Sequence, residues 1–337
     1  MVMYTSNHER KLIDKICSEI EKYNNFILTT HQLPDGDGLS CELAFFDMLI
    51  NLGKNVVIVN EFSARPVFNF LPYFSKIVNP EIYRRLRFKP DVAIVFDCSS
   101  KERVGRPFED ISDARVIINI DHHEGNTLFG DINLVSCDRS SVGEICFLIA
   151  KKLGCLNEKV AECLYVAILT DTGSFRHHFD MRTFDVSEKL LQTGIDPETI
   201  ADNIYHNNSV SCLRLLGYAL SNLQYDDKIR TAWTVLTGDI YRRTRALEQD
   251  TEIVVDMLRT IKDADIIFIV KEKKREIKFS LRSRKGINVR RIAERFGGGG
   301  HNNAAGFSFQ GISIEQAVLR FLRYLRSRQQ EDKDLDD

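Results

Sequence analysis

The sequence has no apolar run that approaches the roughly 18 residues of a membrane-spanning helix. Residues 1–10 are polar and contain no hydrophobic segment of the kind found in signal peptides. The 8 cysteines form no CxxC pair, and several of them, such as Cys17, Cys146 and Cys163, lie inside apolar patterns. These absences argue against a membrane protein and a disulfide scaffold, so we expect reduced core cysteines in a cytoplasmic protein.

The chain also has little net charge, because 46 Lys and Arg residues nearly balance 48 Asp and Glu residues to give -2 at pH 7. A protein that coats long duplex nucleic acid needs a basic surface, so this balance argues against that function and leaves short nucleotides open. With 337 residues, 43% of them hydrophobic, the chain is long enough for about two globular domains.

Short apolar runs alternate with helical patterns in the first half of the chain. The runs lie at residues 26–30, 56–59, 92–96 and 116–120. This alternation predicts an α/β fold, with a parallel sheet that carries helices on both faces. The carboxyl ends of parallel strands lie at one edge of a sheet, so we expect the residues that follow these runs to converge there.

Acidic and imidazole side chains follow three of these runs and one apolar stretch, 163–169, that has helical spacing. The six candidate metal ligands are His31, Asp35, Asp37, Asp97, His122 and Asp171. Four close carboxylates require counter-charge, which two divalent cations such as Mn²⁺ or Mg²⁺ would supply. A two-metal site clamps phosphate oxygens and activates a water for in-line attack. For the first turn alone, the alternative is an ordinary surface turn rich in Asp and Gly.

His123 lies beside this set and has no obvious metal partner. It could bind a substrate phosphate or protonate the leaving oxygen, or it could be a hydrogen-bonded histidine next to the site. Asp121 could orient His122 or His123, or simply end a strand. Arg103 could reach a phosphate or lie at the surface.

The residues that follow Asp171 give mixed signals. Phe175 and Arg176 are candidates for contacts to a base or a phosphate. His177, His178 and His206 match no ligand pattern, so we interpret them as ordinary polar residues.

A second α/β domain is predicted to begin near residue 226. Its strands are expected at 229–236, 266–270 and 277–281, with helices at 251–261 and 288–296 and a final helix capped by Ser313. Between residues 266 and 300, Lys and Arg greatly outnumber the acidic residues. Four consecutive glycines follow the second of these helices, and their backbone N–H groups could approach an anion closely. The alternative is a flexible loop.

The ordered set of motifs resembles the DHH phosphoesterase family, in its spacing His-x-x-x-Asp-x-Asp, a later Asp, the Asp121-His122-His123 triplet and Asp171. The C-terminal sequence Gly-Gly-Gly-Gly-His-Asn-Asn-Ala-Ala-Gly, from residue 297 to 306, resembles the glycine-rich motif of the DHH-associated domain in the RecJ-like and nanoRNase branches. One departure is Ser40-Cys41, where family members often carry Gly-Ser. Cys41 could make the site sensitive to oxidation or be a small packed residue.

The resemblance implies two Mn²⁺ ions, with Mg²⁺ as the alternative metal. It places His31 and Asp35 on one ion, and Asp37, His122 and Asp171 on the other. Asp97 would bridge the two ions and act in catalysis, and His123 would lie against the scissile phosphate. The substrate contacts that it implies in and around the second domain are Arg103, Arg282, Ser283, Gly298, Gly299, Gly300 and His301.

We therefore expect a DHH catalytic domain at 1–195, a helical connector at 196–224, a DHH-associated domain at 225–329 and an acidic tail at 330–337. The active site is expected in a cleft between the two domains. In its length, the chain most resembles the stand-alone nanoRNase and pAp-phosphatase type. The expected partners are short RNA oligonucleotides, dinucleotides or pAp, with no long duplex DNA and no membrane, and homodimer formation is left open.

The implied activity is hydrolysis of short oligoribonucleotides and linear dinucleotides such as pApA to 5′-mononucleotides, with pAp 3′-phosphatase activity as a close variant. A cyclic-di-AMP phosphodiesterase is the first alternative. A nucleotide sensor with a dead site is the second, although the complete ligand set argues against it. A manganese pyrophosphatase fits less well, because the glycine-rich motif resembles the nucleotide-binding branch.

Overall fold

The computed structural model describes residues 6–62, 64–284 and 287–333. The chain divides into two compact units, Met1–Asn207 and Asn208–Asp337. The division falls inside the predicted connector 196–224. Each of the two helices in that stretch therefore belongs to a different unit.

A six-stranded parallel sheet forms the centre of the first unit, with the strand order β3-β2-β1-β4-β5-β6. The strands are β1 (Asn25–Thr29), β2 (Asn55–Val59), β3 (Ile77–Val78), β4 (Val92–Phe96), β5 (Val116–Asp121) and β6 (Ile132–Val135). The four predicted apolar runs are β1, β2, β4 and β5, so the predicted parallel sheet is confirmed. The strand order reverses between β1 and β4, which is the position where open α/β sheets hold their ligands.

Helices cover both faces of this sheet, as the alternation of strands and helices predicts. They are α1 (Asn7–Lys22), α2 (Gly36–Asn51), α3 (Pro80–Leu86), α4 (Lys101–Val104), α5 (Pro107–Ile111), α6 (Val142–Leu153), α7 (Glu158–Asp171), α8 (Met181–Leu191) and α9 (Pro197–Tyr205). Side chains alternate along β1, so Phe26 and Leu28 join the core formed with α1, α2, α6 and α7. Ile27 points to the opposite face, where Tyr83 and Ile111 of α3 and α5 pack.

Helix α2 is buried over most of its length, and its first turn lies very close to Thr30, which follows β1, and to Thr170 in α7. A Cβ atom added at Gly36 would overlap Thr170, and one added at Gly38 would overlap Thr30. Only glycine lets the first turn of α2 approach β1 and α7 this closely. The carboxylates of that turn are consequently held next to the carboxyl ends of the strands.

The second unit contains a six-stranded mixed sheet with the order β11-β12-β10-β9-β8-β7, in which only the β8–β9 pair is parallel. Its strands are β7 (Gln224–Asp226), β8 (Thr231–Leu236), β9 (Ile266–Glu272), β10 (Ile277–Ser283), β11 (Gly299–His301) and β12 (Ala304–Phe309). Its helices are α10 (Val210–Ser221), α11 (Gly238–Thr244), α12 (Thr251–Leu258), α13 (Val289–Glu294) and α14 (Ile314–Lys333). The predicted second α/β region and its three strands are confirmed.

Two expectations for the second unit require correction. Gly299 and Gly300 are not part of a loop, because they pair with β12 as a short edge strand. The predicted tail 330–337 begins inside α14, which continues to Lys333, and residues 334–337 lie outside the described residues.

The predicted cap of the final helix by Ser313 is confirmed, since Gln316 N donates to Ser313 Oγ (3.2 Å) and Ser313 N donates to Gln316 Oε1 (3.0 Å). Among the described residues, no helix has the length and apolar character required to cross a membrane.

Candidate metal centre

The turn between β1 and α2 carries three of the six candidate ligands. His31 follows β1 directly and is buried. Asp35 is the N-cap of α2, and its Oδ1 accepts hydrogen bonds from the backbone N–H groups of Asp37 (3.1 Å) and Gly38 (3.3 Å). Asp37 lies in the first helical turn, where its carboxylate is also buried.

The remaining ligands arrive from three other elements. Asp97 follows β4 in a left-handed conformation (φ 51°), which is uncommon for a non-glycine residue and typical of strained functional positions. His122 and His123 follow β5, and Asp171 is the last residue of α7. The structure therefore brings together all six residues that the sequence singles out.

Asp97 lies between two groups of ligand atoms. Nε2 of His31 is 3.5 Å from Asp97 Oδ2 and 3.4 Å from Asp35 Oδ2. Nε2 of His122 is 3.6 Å from Asp97 Oδ1 and 3.5 Å from Asp171 Oδ2.

Three overlapping groups have the spacing required to hold a cation: His31 with Asp35 and Asp97, Asp37 with His122 and Asp171, and Asp97 with His122 and His123. Two of these groups contain Asp97 and the third lies next to it. The arrangement can accommodate two neighbouring ions with Asp97 between them.

Unsatisfied polar atoms support this fit. His31 Nε2 and Asp97 Oδ1 are buried and have no hydrogen-bond partner in the described part of the chain. A buried polar atom without a partner costs about 1–3 kcal/mol, and coordination of a cation would satisfy both atoms. Imidazole and carboxylate ligands without a thiolate suit Mn²⁺ or Mg²⁺ better than a structural zinc ion.

The carboxylates of the site repel one another. Burial, together with the charges of Asp97, Asp171 and Asp35, raises the pKa of Asp37 well above its ordinary value. Burial and the neighbouring carboxylates also raise the pKa of Asp171 to about 6, against the opposing effect of His122. Four carboxylates in this space therefore need additional positive charge to stay ionised, which is the condition that divalent cations meet.

His31 and Asp35 form a pair at one side of the site. Burial favours the neutral imidazole of His31, but the adjacent Asp35 and Asp97 outweigh it and raise the pKa to about 9. Burial likewise works against ionisation of Asp35, but the nearby His31 still leaves the Asp35 pKa below its ordinary value. In the absence of a cation, the proton on His31 partly replaces the missing positive charge.

Backbone groups orient Asp37 and His122. Asp37 accepts hydrogen bonds from the N–H groups of Val142 (2.7 Å) and Gly143 (3.0 Å) at the beginning of α6. His122 Nδ1 lies 3.3 Å from the carbonyl oxygen of Arg139, to which it donates, so Nε2 faces the carboxylates. The sequence does not predict either contact, although Ser141, which caps α6 three residues before Glu144, is a recognisable helix start.

Asp121 contacts His123 rather than His122. Its Oδ1 accepts a hydrogen bond from His123 Nδ1 (2.8 Å), and its Oδ2 accepts one from Asn126 Nδ2 (2.6 Å). The hydrogen bond to Asp121 and the charge of Asp97 raise the pKa of His123. His123 keeps an exposed face at the edge of the site, where its raised pKa favours the protonated imidazole.

Arg103 lies on α4 close to this edge. Its Nη1 donates to Ser99 Oγ (3.4 Å), and its positive charge opposes protonation of His123, which places it within electrostatic range of that residue. Among the described residues it has no ion-pair partner at salt-bridge distance. Its guanidinium can therefore contact an anion.

Two of the predicted substrate residues of the second unit, Arg282 and Ser283, line a separate cavity of about 660 Å³, which we call the cationic cavity. Its lining consists of Arg259, Ala264, Asp265, Ile267, Arg282, Ser283, Arg284 and Asn303. Arg282 donates from Nη1 to the Leu281 carbonyl (3.0 Å), and burial lowers the pKa of its guanidinium. Arg259, at the carboxyl end of α12, carries no sequence signal, and Asn303 lies within the glycine-rich motif.

The glycine-rich motif forms the edge of the same sheet. Arg282 pairs with Ala304, and Ala304 pairs with His301, so the three residues form one row across β10, β12 and β11. Gly298 lies so close to Phe307 that a Cβ atom would overlap it, and Gly300 has a φ of 141°. Glycine at positions 298 and 300 therefore allows this edge to pack closely against β12. The side chain of His301, a predicted substrate contact, lies outside the described part of the structure.

An α/β unit that collects imidazoles and carboxylates at the reversal point of its sheet, followed by a unit with an arginine-lined cavity, is typical of hydrolases that act on phosphorylated substrates. The family model described as "DHH family, N-terminal domain" matches residues 25–168, and the one described as "DHHA1 domain" matches residues 239–330. The chain therefore carries a DHH N-terminal domain followed by a DHHA1 domain.

Individual relatives align over nearly the whole chain. A protein of Thermus thermophilus named bifunctional oligoribonuclease and PAP phosphatase NrnA is 27% identical over 94% of this chain and 93% of its own. A protein of the same name from Mycoplasma genitalium is 27% identical over 87% of this chain and 91% of its own. The crystal structure of an exopolyphosphatase-related protein from Bacteroides fragilis superposes with a TM-score of 0.86 at 26% identity, over 97% of this chain and 98% of that chain.

Proposed function

We propose that this chain is a metal-dependent phosphodiesterase that hydrolyses short oligoribonucleotides and linear dinucleotides to 5′-mononucleotides, and that it also removes the 3′-phosphate of pAp. The observation that carries the proposal is the position of Asp97 between two groups of imidazole and carboxylate ligands. The names of the Thermus and Mycoplasma relatives support the substrate class.

The proposed ligand assignment uses the six assembled side chains. His31 and Asp35 would hold one ion, and Asp37, His122 and Asp171 would hold the other, with Asp97 shared between them. When bound, two Mn²⁺ ions, or Mg²⁺ ions, would supply charge for the phosphate oxygens and lower the pKa of a water. The N–H groups of Val142 and Gly143 donate hydrogen bonds to Asp37, and the Arg139 carbonyl accepts one from His122. These bonds hold Asp37 and His122 in place before substrate arrives.

His123 is the proposed proton donor. Asp121 holds its Nδ1 and raises its pKa, so Nε2–H can donate to a phosphate oxygen or to the leaving oxygen. Arg103 would add a second positive charge at the same edge. Asp121 acts through His123, so we assign it as a positioning residue.

Residues of the second unit are the proposed contacts to the rest of the substrate. Arg282, Ser283 and Arg259 line the cationic cavity, which has the charge and the size for a terminal phosphate or a nucleotide. The glycines from 298 to 300 offer close backbone approach, and His301 completes the set as a prediction.

A hydrolysis panel tests the proposal. With Mn²⁺ present, the panel compares pApA, RNA of a few nucleotides, a long RNA oligomer, pAp and cyclic-di-AMP, using the wild type, Asp97→Ala and the exposed control Asp113→Ala. We expect rapid cleavage of the short linear substrates and pAp by the wild type and the control, and none by Asp97→Ala. A preference for cyclic-di-AMP would reassign the substrate, and the absence of hydrolysis would contradict the proposal.

A further inference from the structure

A cavity of about 530 Å³ opens directly beside the candidate metal centre, entirely within the first unit. His122, His123 and Asp171 form one part of its lining, and His178, Phe179 and Thr183 are among the residues that form the rest. Its volume lies within the roughly 300–1,000 Å³ typical of small-molecule sites. A substrate whose phosphate is held at the metal centre has this space next to it. We call it the side cavity.

A strained segment brings the far wall into place. Gly173, Ser174 and Phe175 have consecutive positive φ values of 55°, 63° and 59°, and His178 has a φ of 47°. Non-glycine residues in this conformation cost about 1–3 kcal/mol each and persist only where the surroundings impose them. The Thr172 carbonyl accepts hydrogen bonds from the N–H groups of Arg176 and His177 (both 2.9 Å), which fixes the segment immediately after Asp171.

Phe179 presents an aromatic ring in this cavity. It is 42% exposed, although its ring has support on one side. The rings of Phe179 and Phe184 pack edge to face with their centroids 5.6 Å apart. Phe184 in turn stacks on Phe175, with a centroid distance of 5.3 Å and an interplanar angle of 17°. An exposed ring that is held in position is the kind of platform on which nucleobases stack.

The charges of the side cavity disfavour a second phosphate beyond His123. Its acidic lining residues are Glu124, Asp138, Asp171 and Asp180, and two of them, Asp138 and Asp180, are ion-paired with Arg182. The arginine in its lining, Arg139, forms buried ion pairs with Glu9 (3.0 Å) and Glu144 (3.6 Å). A second phosphate would therefore find no unpaired arginine or lysine among these lining residues, whereas base amino groups and ribose hydroxyls would find hydrogen-bond acceptors.

His178 adds a polar group without a structural role of its own. It is exposed, and within the described residues it has no hydrogen-bond or ion-pair partner. Its imidazole can donate to or accept from a base edge or a ribose hydroxyl. The sequence indicates Phe175 and Arg176 as candidate contacts to a base or a phosphate, and His178 as an ordinary polar residue. In the structure Phe175 stacks on Phe184, and Arg176 Nε donates to the Gly173 carbonyl (2.5 Å).

We propose that the side cavity binds the nucleoside attached to the scissile phosphate, with its base stacked on Phe179 and a hydrogen bond to His178. This inference rests on the proposed function of the metal centre. It assigns Phe179 and His178 as specificity-determining residues that distinguish nucleotides from other phosphate esters. The cavity selects through its aromatic wall and through the hydrogen-bond acceptors of its lining, because the arginine of that lining, Arg139, is already ion-paired.

The test compares pAp with ribose 3,5-bisphosphate, which has the same two phosphates and no base. Steady-state phosphate release is measured with Mn²⁺ for the wild type, Phe179→Ala, Phe179→Trp and His178→Ala. Met181→Ala is the matched control, because Met181 is 69% exposed on the adjoining helix α8 and does not line the cavity. We expect Phe179→Ala to raise the KM for pAp about tenfold with little change in kcat, which is the loss of one base-stacking contact.

Phe179→Trp should retain the wild-type KM for pAp, and His178→Ala should raise the KM for pAp in the same direction as Phe179→Ala. Neither Phe179 variant should change the turnover of ribose 3,5-bisphosphate. Equal losses on both substrates in Phe179→Ala, or an unchanged KM for pAp in folded Phe179→Ala or His178→Ala, would overturn the inference.

Calorimetric titration with AMP in Mn²⁺ separates the two proposals. If the wild type binds AMP in a Phe179-dependent manner and hydrolyses nothing, the proposed function fails and the nucleoside site stands. If AMP binding is absent or does not depend on Phe179, the nucleoside site falls whatever the activity.

Discussion

At the candidate metal centre of the first unit, His31, Asp37 and Asp97 are buried and backbone groups hold several of the ligands, whereas the cationic cavity of the second unit is lined by arginines on strand ends and helix ends. Asp37 illustrates the first kind of residue, since two backbone N–H groups hold its carboxylate. Arg282 illustrates the second, because the only hydrogen bond of its guanidinium among the described residues is to the adjacent Leu281 carbonyl. Under the proposed function, the first site carries out the chemistry and the second holds the substrate.

The two sites also differ in electrostatic balance. At the first, burial and concentrated negative charge raise the pKa of Asp37, Asp97 and Asp171, so the site favours the binding of cations. The second concentrates positive charge and requires an anion. Substitutions at the first site should therefore change kcat and metal binding, and substitutions at the second should change KM.

The largest effect is expected for Asp97→Asn. Loss of the shared carboxylate removes several kcal/mol of charge stabilisation that depends on the metals, so we expect kcat on pApA to fall by at least roughly 10³-fold. Stability should change in the opposite direction. Burial and nearby Asp35 raise the Asp97 pKa in the fold, so the ionised carboxylate destabilises the metal-free protein once the pH exceeds the ordinary Asp value.

Thermal unfolding in chelator at pH 7 checks this sign. Asp97→Asn should melt at or above the wild-type temperature, and addition of Mn²⁺ should raise the melting temperature of the wild type more than that of the variant. A variant that melts far below the wild type in chelator would show that Asp97 serves the fold rather than the metals.

A smaller effect is expected for Asp121→Asn, because the proposed catalytic role of Asp121 is to position His123. Removal of such a supporting hydrogen bond typically costs 10- to 100-fold in activity, and we expect a loss of about that size in kcat. Since Asp121 raises the His123 pKa, the substitution lowers it. If protonated His123 is the donor, activity falls as pH rises through this pKa, and the fall should move to lower pH in the variant.

The pH dependence of kcat provides this measurement, with Asp113→Asn as an exposed control. An unshifted alkaline limb in Asp121→Asn would contradict the role of His123 as proton donor. A shift towards higher pH would contradict the claim that the hydrogen bond to Asp121 stabilises the protonated imidazole of His123.

The smallest effect is expected for Arg282→Ala in the second unit. A lost hydrogen bond to a charged group costs about 1.5–3 kcal/mol, so we expect the KM for pApA to rise at least tenfold with kcat retained. Arg290→Ala is the matched control, because Arg290 is exposed and already paired with Glu294 (2.8 Å). A fall in kcat at constant KM would remove the distinction between the two sites.

The sequence predicts which side chains cluster at the candidate metal centre, because local signals specify their positions. The runs that end on Asp97 and on Asp121 are short and apolar, and a parallel sheet necessarily brings their ends to one edge. Strands β3 and β6 escaped prediction because a pair of residues, Ile77–Val78, and the short Ile132–Val135 segment at the sheet edges have no distinct periodicity.

Features that depend on tertiary packing could not be predicted. The Arg139 carbonyl orients His122 from 17 residues away, and its position depends on the buried ion pairs of its side chain. Arg259 and Arg282 line the same cavity only in the folded unit, in which β9 pairs with β10. Likewise, the glycine run has no side chains that would indicate an edge strand, and its pairing with β12 is set by the turn between them.

The most direct test of the central claim is anomalous diffraction from crystals of the protein grown with Mn²⁺. The account predicts two manganese peaks about 3.5–4 Å apart. It also predicts the Asp97 carboxylate between them, with His31 and Asp35 on one ion and Asp37, His122 and Asp171 on the other. A single peak, or two peaks that do not share Asp97, would contradict the claim that this residue joins two metal sites into one catalytic centre.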